Sequence, residues 1–159
     1  MLKDTERKLP AEFSKARDYA FLLLKFRLRS EDELYQRLRK KKFSEEASRS
    51  VVAFLKEKKF LDDAEFARLW ISSRIKKPLG LRRLKFELKL KGVDKGIIEA
   101  QARKACRDYN EGEVANTLAR TKMNTLKDLE PLKAKRRVFA FLMRRGFSAE
   151  AAGDALSRL

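Results

Sequence analysis

Two adjacent carboxylates, Asp62 and Asp63, are the side chains whose types and spacing first suggest chemistry. Paired carboxylates can hold a divalent cation, which in a nuclease would activate water. No third carboxylate at a suitable spacing accompanies them, and the sequence has no histidine. Aspartate at a helix start accepts hydrogen bonds from free backbone N–H groups and meets the positive end of the helix dipole. We therefore interpret the pair as a helix cap and predict no catalytic residue, no metal and no cofactor.

Two aromatic residues, Phe66 and Trp70, follow at helical spacing and could stack on nucleic-acid bases. They share one stripe with Ala67 and Ile71, where burial in a core is the commoner outcome. We predict that both are core residues. The one cysteine, Cys106, falls in the apolar pattern of a helix and is predicted to be buried. One cysteine without histidine excludes disulfides within the chain, thiolate or imidazole zinc sites and Ser-His triads.

Three runs of basic residues are the strongest functional candidates. A solvated face normally mixes both signs of charge, yet residues 74–91 hold eight cations and one acid, Glu87. Phosphate contacts by such residues would give affinity without base specificity, although an acidic protein groove would fit equally well. The predicted binding surface consists of Arg74, Lys76, Lys77, Arg82, Arg83, Lys85, Lys89 and Lys91 in the central run, Lys133, Lys135, Arg136, Arg137, Arg144 and Arg145 in the C-terminal run, and Arg37, Arg39, Lys40 and Lys41 in the first run.

The overall charge supports the same interpretation. In 159 residues, 40% of the side chains are charged and the formal net charge is +17. Self-repulsion of that size costs a compact monomer stability, so a polyanionic or acidic partner is expected. Since no apolar run of 18 residues and no signal-peptide block occur, we predict no membrane span and a cytoplasmic location.

The elements that would position these residues are helices. The apolar period is helical almost throughout, which predicts an all-α fold of about nine short helices. The first predicted helix covers residues 14–28. The other predicted helix starts and ends are marked by Ser30, Ser44, Asp62 or Asp63, Pro78 with Gly80, Gly92, Asp94, Asn110, Pro131 and Ser148.

An internal repeat divides the chain. The stripe residues Leu34 and Leu38, Leu84 and Leu88, and Val138 and Leu142 are each followed by a basic turn, an apolar residue and a capping position. The first residues are polar and charged and include Pro10, which predicts a flexible arm at residues 1–13. The repeat predicts three-helix units at residues 14–60, 61–109 and 110–159. A unit of about 50 residues buries little surface alone, so neighbouring units should stack into an elongated array.

The residues of these units resemble the RecX family of bacterial recombination regulators over about Ala16 to the C-terminus. The first unit contributes Ala20, Leu23, Leu24, Arg27, Ser30, Glu33, Leu34 and Leu38. The central match is the most specific: Leu61, Asp62, Asp63, Phe66, Ala67, Trp70, Arg74, Gly80, Arg83, Glu87, Leu88, Lys91, Gly92 and Val93. The third adds Lys135, Phe141, Leu142, Arg144, Arg145, Gly146, Phe147 and Ser148. Lys42 stands where a glycine is common in the family, and Val93 where isoleucine is common.

The resemblance implies three tandem three-helix units in a curved, elongated, monomeric molecule that is not an enzyme. It implies binding to the RecA–DNA nucleoprotein filament along its groove, with contacts to RecA and to single- and double-stranded DNA. The outcome would be modulation, mainly inhibition, of the recombinase, ATPase and coprotease activities of RecA, and so regulation of DNA repair. The alternative is a non-specific DNA-binding or architectural helical protein that acts without RecA.

Overall fold

The computed structural model describes the backbone of residues 2–159 and the side chains of residues 11–159. Over that part of the chain the fold is all-α, as predicted, and contains no strand. Its nine helices are α1 (Leu2–Phe26), α2 (Glu31–Lys40), α3 (Glu45–Glu57), α4 (Asp63–Ile75), α5 (Leu81–Leu90), α6 (Lys95–Ala105), α7 (Glu111–Asn124), α8 (Pro131–Arg144) and α9 (Ala149–Ser157).

Helix starts follow the capping residues that the sequence contains. The side chains of Ser30, Ser44, Asn110 and Ser148 each accept a hydrogen bond from the backbone N–H three residues on, at 3.1–3.2 Å. Each bond satisfies one N–H group that has no partner inside its helix. Pro131 lies in the first turn of α8, as predicted, where its missing N–H costs nothing.

Two compact units organise the chain. The first contains residues 1–66 with residues 90–94, and the second contains residues 67–89 with residues 95–159. In the first, α1, α2 and α3 bury Ala16, Ala20, Leu34, Leu38, Val51, Leu55 and Leu61. In the second, α7, α8 and α9 bury Ala115, Ala119, Val138, Leu142, Phe147, Ala152 and Ala155. The division into units at residues 14–60, 61–109 and 110–159 stays a prediction.

The repeated stripe positions are confirmed as core. Leu34, Leu38, Leu84, Leu88, Val138 and Leu142 are all at most 1% exposed. Truncation of such a leucine to alanine typically costs about 2–5 kcal/mol, because transfer free energy is lost and a cavity remains. These pairs therefore hold the basic turns that follow them in place.

The predicted start of the first helix is wrong, whereas the flexibility of residues 1–13 stays a prediction. Helix α1 runs over Leu2–Phe26, so the first helix does not begin near Ser14. Of the predicted arm, the side chains of residues 1–10 lie outside the described residues, but Glu12 and Phe13 are in contact with the fold. Phe13 packs on Phe54, and Glu12 accepts bonds from the N–H and hydroxyl of Ser44 at 2.6 and 2.9 Å. Glu, Lys and Arg are good helix formers, so a polar and charged composition does not exclude a helix.

One burial prediction is wrong. Cys106 is exposed, because α6 ends at Ala105 and the cysteine belongs to the turn after it. In α7 the larger Val114 and Leu118 pack against the core, while the small Ala115 and Ala119 beside them are fully buried.

Candidate functional site

The two carboxylates that suggested chemistry are both bound to backbone N–H groups. Asp62 caps α4, accepting bonds from the N–H groups of Ala64 and Glu65 at 2.8 and 3.0 Å. Asp63 is 8% exposed and accepts a bond from the N–H of Glu31 at 2.8 Å. Burial raises the pKa of Asp63 above its ordinary value, and the bond from Glu31 offsets part of that rise. Among the residues with described side chains, no group of three or more His, Cys, Asp or Glu could hold a metal ion.

The aromatic pair has structural contacts. Phe66 is 5% exposed and is in the core as predicted, whereas Trp70 is half-buried. The indole N–H of Trp70 donates to Glu87 at 3.2 Å, and the Arg74 guanidinium lies 4.9 Å from the indole centroid. One face of the ring is therefore covered by a cation rather than open to a base.

Half of the central basic run is paired with acids. Arg74 and Arg83 both bind Glu87, at 3.2 and 3.0 Å. Lys85 binds Glu99 at 2.8 Å, and Lys91, which belongs to the first compact unit, binds Glu33 at 3.0 Å. Glu33 and Glu99 lie outside the run, so counting charges within it overstated the unpaired positive charge.

The other half of the run is exposed, and over the described residues its members form no ion pair: Lys76, Lys77, Arg82 and Lys89. Arg82 and Arg83 lie in the first turn of α5, which contains no acid. A cation at the positive end of a helix dipole costs about 0.3–1 kcal/mol. Glu87 pairs with Arg83. The Glu111 carboxylate accepts a bond from the N–H of Leu81 at 2.8 Å, so these two acids offset part of that cost. Arg82 has no ion pair over the described residues and is the stronger candidate for binding.

Helix α8 carries the most uniform positive surface. Its helical spacing places Lys133, Arg136, Arg137 and Arg144 together, opposite the buried Ala134, Val138 and Leu142. All four are exposed, and α8 contains no acid. We call these four residues the α8 face. Lys135 is exposed on another side of the helix, and Arg145 lies with its guanidinium 5.3 Å from the Phe141 ring.

A backbone joint brings the central and C-terminal runs together. The N–H of Gly80 donates to the carbonyl of Arg145 at 3.0 Å, and the N–H of Arg82 donates to that of Gly146 at 3.2 Å. A Cβ on Gly80 would overlap the Gly146 backbone, and one on Gly146 would overlap Arg83. Only glycine permits this approach, which seats the turn after α8 on the start of α5. The start of α5, which carries Arg82 and Arg83, is therefore in contact with the turn at Arg145 and Gly146.

The same kind of joint recurs in the first unit with different charges. The turn at Lys91 and Gly92 meets the start of α2, where the hydroxyl of Ser30 donates to the carbonyl of Lys91. A Cβ on Gly92 would overlap Asp32. Here the first turn of the receiving helix is acidic, with Glu31, Asp32 and Glu33, whereas α5 offers two arginines.

The first basic run has a sufficient structural explanation. Arg37, Arg39 and Lys40 lie in the last turn of α2, where the helix dipole favours cations. Arg39 donates to the carbonyl of Phe43 at 2.6 Å, and the Lys41 ammonium lies 5.6 Å from the Tyr19 centroid. This run is therefore the weakest of the three candidates.

One candidate was missed in the sequence. Phe86 is 52% exposed on α5, on the side opposite Leu84 and Leu88. It follows Arg82 by four residues and precedes Lys89 by three, so both cations are its neighbours on the helix surface. That spacing was the available signal. We call Arg82, Arg83, Phe86 and Lys89 the α5 face.

A cavity of about 320 Å³ lies between α4 and α6 in the second unit. Ile71, Ile75 and Ala105 supply apolar lining, while Arg68 and Asp108 add opposite charges. Its mixed lining distinguishes it from the α5 and α8 faces. No helix over the described residues is long and apolar enough to cross a membrane.

Comparison with known proteins gives a consistent result. Models of the first, second and third three-helix domains of RecX match residues 16–55, 62–100 and 110–156. The chain is 37% identical over 142 residues to "Regulatory protein RecX" of Amycolatopsis mediterranei, covering 87% of this chain and 81% of the relative. It is 33% identical over 144 residues to the Finegoldia magna protein of the same name, covering 89% and 70%.

Solved structures share the fold. A crystal structure of RecX from Lactobacillus salivarius superposes with a TM-score of 0.84 at 20% identity, covering 94% of this chain and 97% of that one. A second crystal structure, of a regulatory protein RecX, gives a TM-score of 0.82 at 19% identity, covering 91% and 71%.

Proposed function

The chain belongs to the RecX family, and from that premise we propose that it binds the RecA–DNA nucleoprotein filament and regulates it. The regulation is mainly inhibition of the recombinase, ATPase and coprotease activities of RecA, and so of DNA repair. The relatives it resembles are named regulatory proteins, which supports a regulatory role. We place the protein in the cytoplasm as a monomer that acts by occupying the filament, without a chemical step.

The observation that carries the proposal is the α8 face. Four exposed cations share one side of a helix that contains no acid, and none of the four is in an ion pair over the described residues. Surface charges that serve solubility alone are normally mixed in sign. A face of one sign matches a polyanionic assembly in which phosphates or acidic side chains repeat along a groove.

The test is ATP hydrolysis by RecA on single-stranded DNA, measured while the protein is titrated. Wild-type protein should slow hydrolysis at sub-stoichiometric concentrations. The triple variant Arg136→Ala, Arg137→Ala, Arg144→Ala should need at least about tenfold more protein for the same inhibition. Unchanged hydrolysis across the wild-type titration would reject the proposal.

A matched control separates position from net charge. Arg49, Lys56 and Lys58 are exposed but paired with Glu45, Glu31 and Glu57 at 2.6, 3.0 and 3.3 Å. Changing these three residues to alanine removes the same formal charge from ion-paired positions. The control variant should inhibit RecA nearly as well as wild type, and equal loss in both variants would mean that total charge alone matters.

A second candidate function is DNA binding without RecA, in a non-specific or architectural role. The net charge of +17 favours it, since counterion release from DNA needs only cations. Co-sedimentation with RecA–DNA filaments and with naked DNA over a range of salt distinguishes the two. Tighter association with filaments at every salt concentration supports RecA regulation, whereas equal association supports the second candidate.

A further inference from the structure

Phe86 is an exposed aromatic ring at the centre of a positively charged helix face. The α5 helix buries Leu84 and Leu88, which are 1% and 0% exposed, and Phe86 lies on the opposite side with 52% of its surface exposed. Three of its four neighbours on the helix surface are cationic: Arg82 and Arg83 precede it by four and three residues, and Lys89 follows by three. The fourth, Leu90, is apolar and 69% exposed.

Core packing does not explain the exposed ring, because a large apolar side chain gains nothing from exposure. The helix dipole opposes Arg82 in the first turn of α5, although the Glu111 carboxylate, which accepts a bond from the N–H of Leu81 at 2.8 Å, offsets part of that cost. Arg83 is held by Glu87 at 3.0 Å, while Arg82 and Lys89 are exposed without an ion pair in the described structure. Two cations therefore remain available to a ligand on the same helix surface as the ring.

A ring between cations matches the chemistry of single-stranded nucleic acid. Cations bind the phosphates, and an aromatic face stacks on a base, an interaction that needs an unpaired base whose flat side is accessible. A duplex presents its phosphates but keeps its base faces stacked on each other, so it would use the arginines and leave the ring unused.

We infer that the α5 face is a binding site for single-stranded nucleic acid, in which Phe86 stacks on an unpaired base while Arg82 and Lys89 bind the flanking phosphates. The inference rests on the proposed function, because it names the part of a nucleoprotein filament that this surface contacts. Among the three repeats only the central one has an aromatic residue at this position, since the equivalent residues between the stripe positions of α2 and α8 are Gln36 and Ala140.

Binding is measured by fluorescence anisotropy in the absence of RecA, with labelled oligothymidylate, an abasic oligomer of the same length and a duplex. Phe86→Ala should weaken oligothymidylate binding by about 5- to 150-fold, the usual value of one base stack. Binding of the abasic oligomer and of the duplex should stay within twofold of wild type. Phe86→Tyr should restore oligothymidylate binding, because it keeps an aromatic face.

Salt dependence and a matched aromatic variant complete the test. Phe86→Ala should leave the salt slope unchanged, whereas Arg82→Ala should reduce it by about 0.7 for one lost phosphate contact on a single strand. Phe26 is 75% exposed on α1, and Phe26→Ala should leave oligothymidylate binding unaltered. Circular dichroism of each variant checks that helicity persists.

The inference is overturned if Phe86→Ala leaves oligothymidylate binding unchanged, or if it weakens the abasic oligomer and the duplex equally. A variant that loses inhibition of RecA but keeps oligothymidylate binding would instead assign Phe86 to a protein contact. Conversely, wild-type protein that fails to inhibit RecA while its binding depends on Phe86 would reject the proposed function and leave this site standing.

Discussion

Lys42, Gly92 and Gly146 occupy equivalent turns after α2, α5 and α8, and all three have left-handed backbone conformations, with φ of 72°, 72° and 86°. Glycine adopts this conformation without steric cost, whereas other L-residues pay about 1–2 kcal/mol. At Gly92 and Gly146 a side chain would also collide with the start of a preceding helix. Lys42 is exposed, so its side chain meets no steric overlap, and the left-handed backbone conformation is the cost of having lysine there.

Lys42→Gly should therefore stabilise the protein by about 0.5–1 kcal/mol, since relief of the left-handed conformation exceeds the entropy that glycine adds to the unfolded chain. Chemical denaturation would show a higher midpoint with an unchanged slope. Lys41→Gly is the control: Lys41 has φ of −75°, so glycine there should not stabilise. A lower midpoint for Lys42→Gly would contradict the strain argument.

Glu33 is an acid whose carboxylate is bound by two cationic side chains. It accepts two bonds from Arg27, at 2.5 and 3.0 Å, and one from Lys91 at 3.0 Å. Burial alone raises the pKa of Glu33, but the bonds from Arg27 and Lys91 outweigh it and lower that pKa to about 2. Because the folded state prefers the ionised form, this contribution is present above the ordinary pKa of 4.5 and is lost as the pH falls towards 2.

Glu33→Gln should lower the free energy of unfolding by about 2 kcal/mol at pH 7, a value reduced for partial solvent exposure. The difference from wild type should shrink between pH 5 and pH 2, as followed by urea denaturation at several pH values. Glu45→Gln removes an exposed pair with Arg49 and should change stability by less than about 0.5 kcal/mol. A difference that is constant with pH would mean that packing, not charge, is lost.

Among the elements, the joint between the start of α5 and the turn after α8 determines how the basic runs meet. Gly146→Ala should destabilise the second unit by about 2 kcal/mol or more, because it combines a left-handed backbone with overlap on Arg83. Gly153 is exposed within α9 with nothing near its Cβ position, so Gly153→Ala should stabilise by about 0.5–1 kcal/mol.

Thermal unfolding of these two glycine variants should therefore shift in opposite directions. If Gly146→Ala were tolerated as well as Gly153→Ala, the turn would not be seated tightly on α5. DNA binding of a folded Gly146→Ala variant should fall too, since the joint positions Arg82 and Arg83 beside the turn that follows Arg144.

The elements were largely predictable because local signals agree with the fold. The caps Ser30, Ser44, Asn110 and Ser148 and the stripe leucines each satisfy a local requirement, a free N–H or an apolar face. The site was less predictable, since pairing is a tertiary property. The ion pair between Lys85 and Glu99, for example, could not be predicted from residues 74–91 alone, because Glu99 lies outside that run. Phe86 was overlooked because its exposure depends on which side of α5 is buried.

The whole molecule carries its charge unevenly. The first unit pairs many of its cations: Lys56 with Glu31, Arg27 and Lys91 with Glu33, and Arg49 with Glu45. In the second unit, α8 contains no acid and α5 contains only Glu87. The α8 face, together with Arg82 and Lys89 of the α5 face, therefore adds a concentration of positive charge that no acid pairs over the described residues.

That concentration predicts how stability responds to salt. With a net charge of +17, repulsion among exposed cations opposes folding, and salt screens it as the Debye length falls from about 30 Å at 0.01 M to about 10 Å at 0.1 M. The thermal midpoint should rise over this range. The triple variant at Arg136, Arg137 and Arg144 should show a smaller rise, because it removes unpaired charge. The control variant at Arg49, Lys56 and Lys58 removes paired cations, so it should not reduce the rise. Differential scanning calorimetry at fixed pH measures all three, and a midpoint that falls with salt would mean that ion pairs outweigh the repulsion.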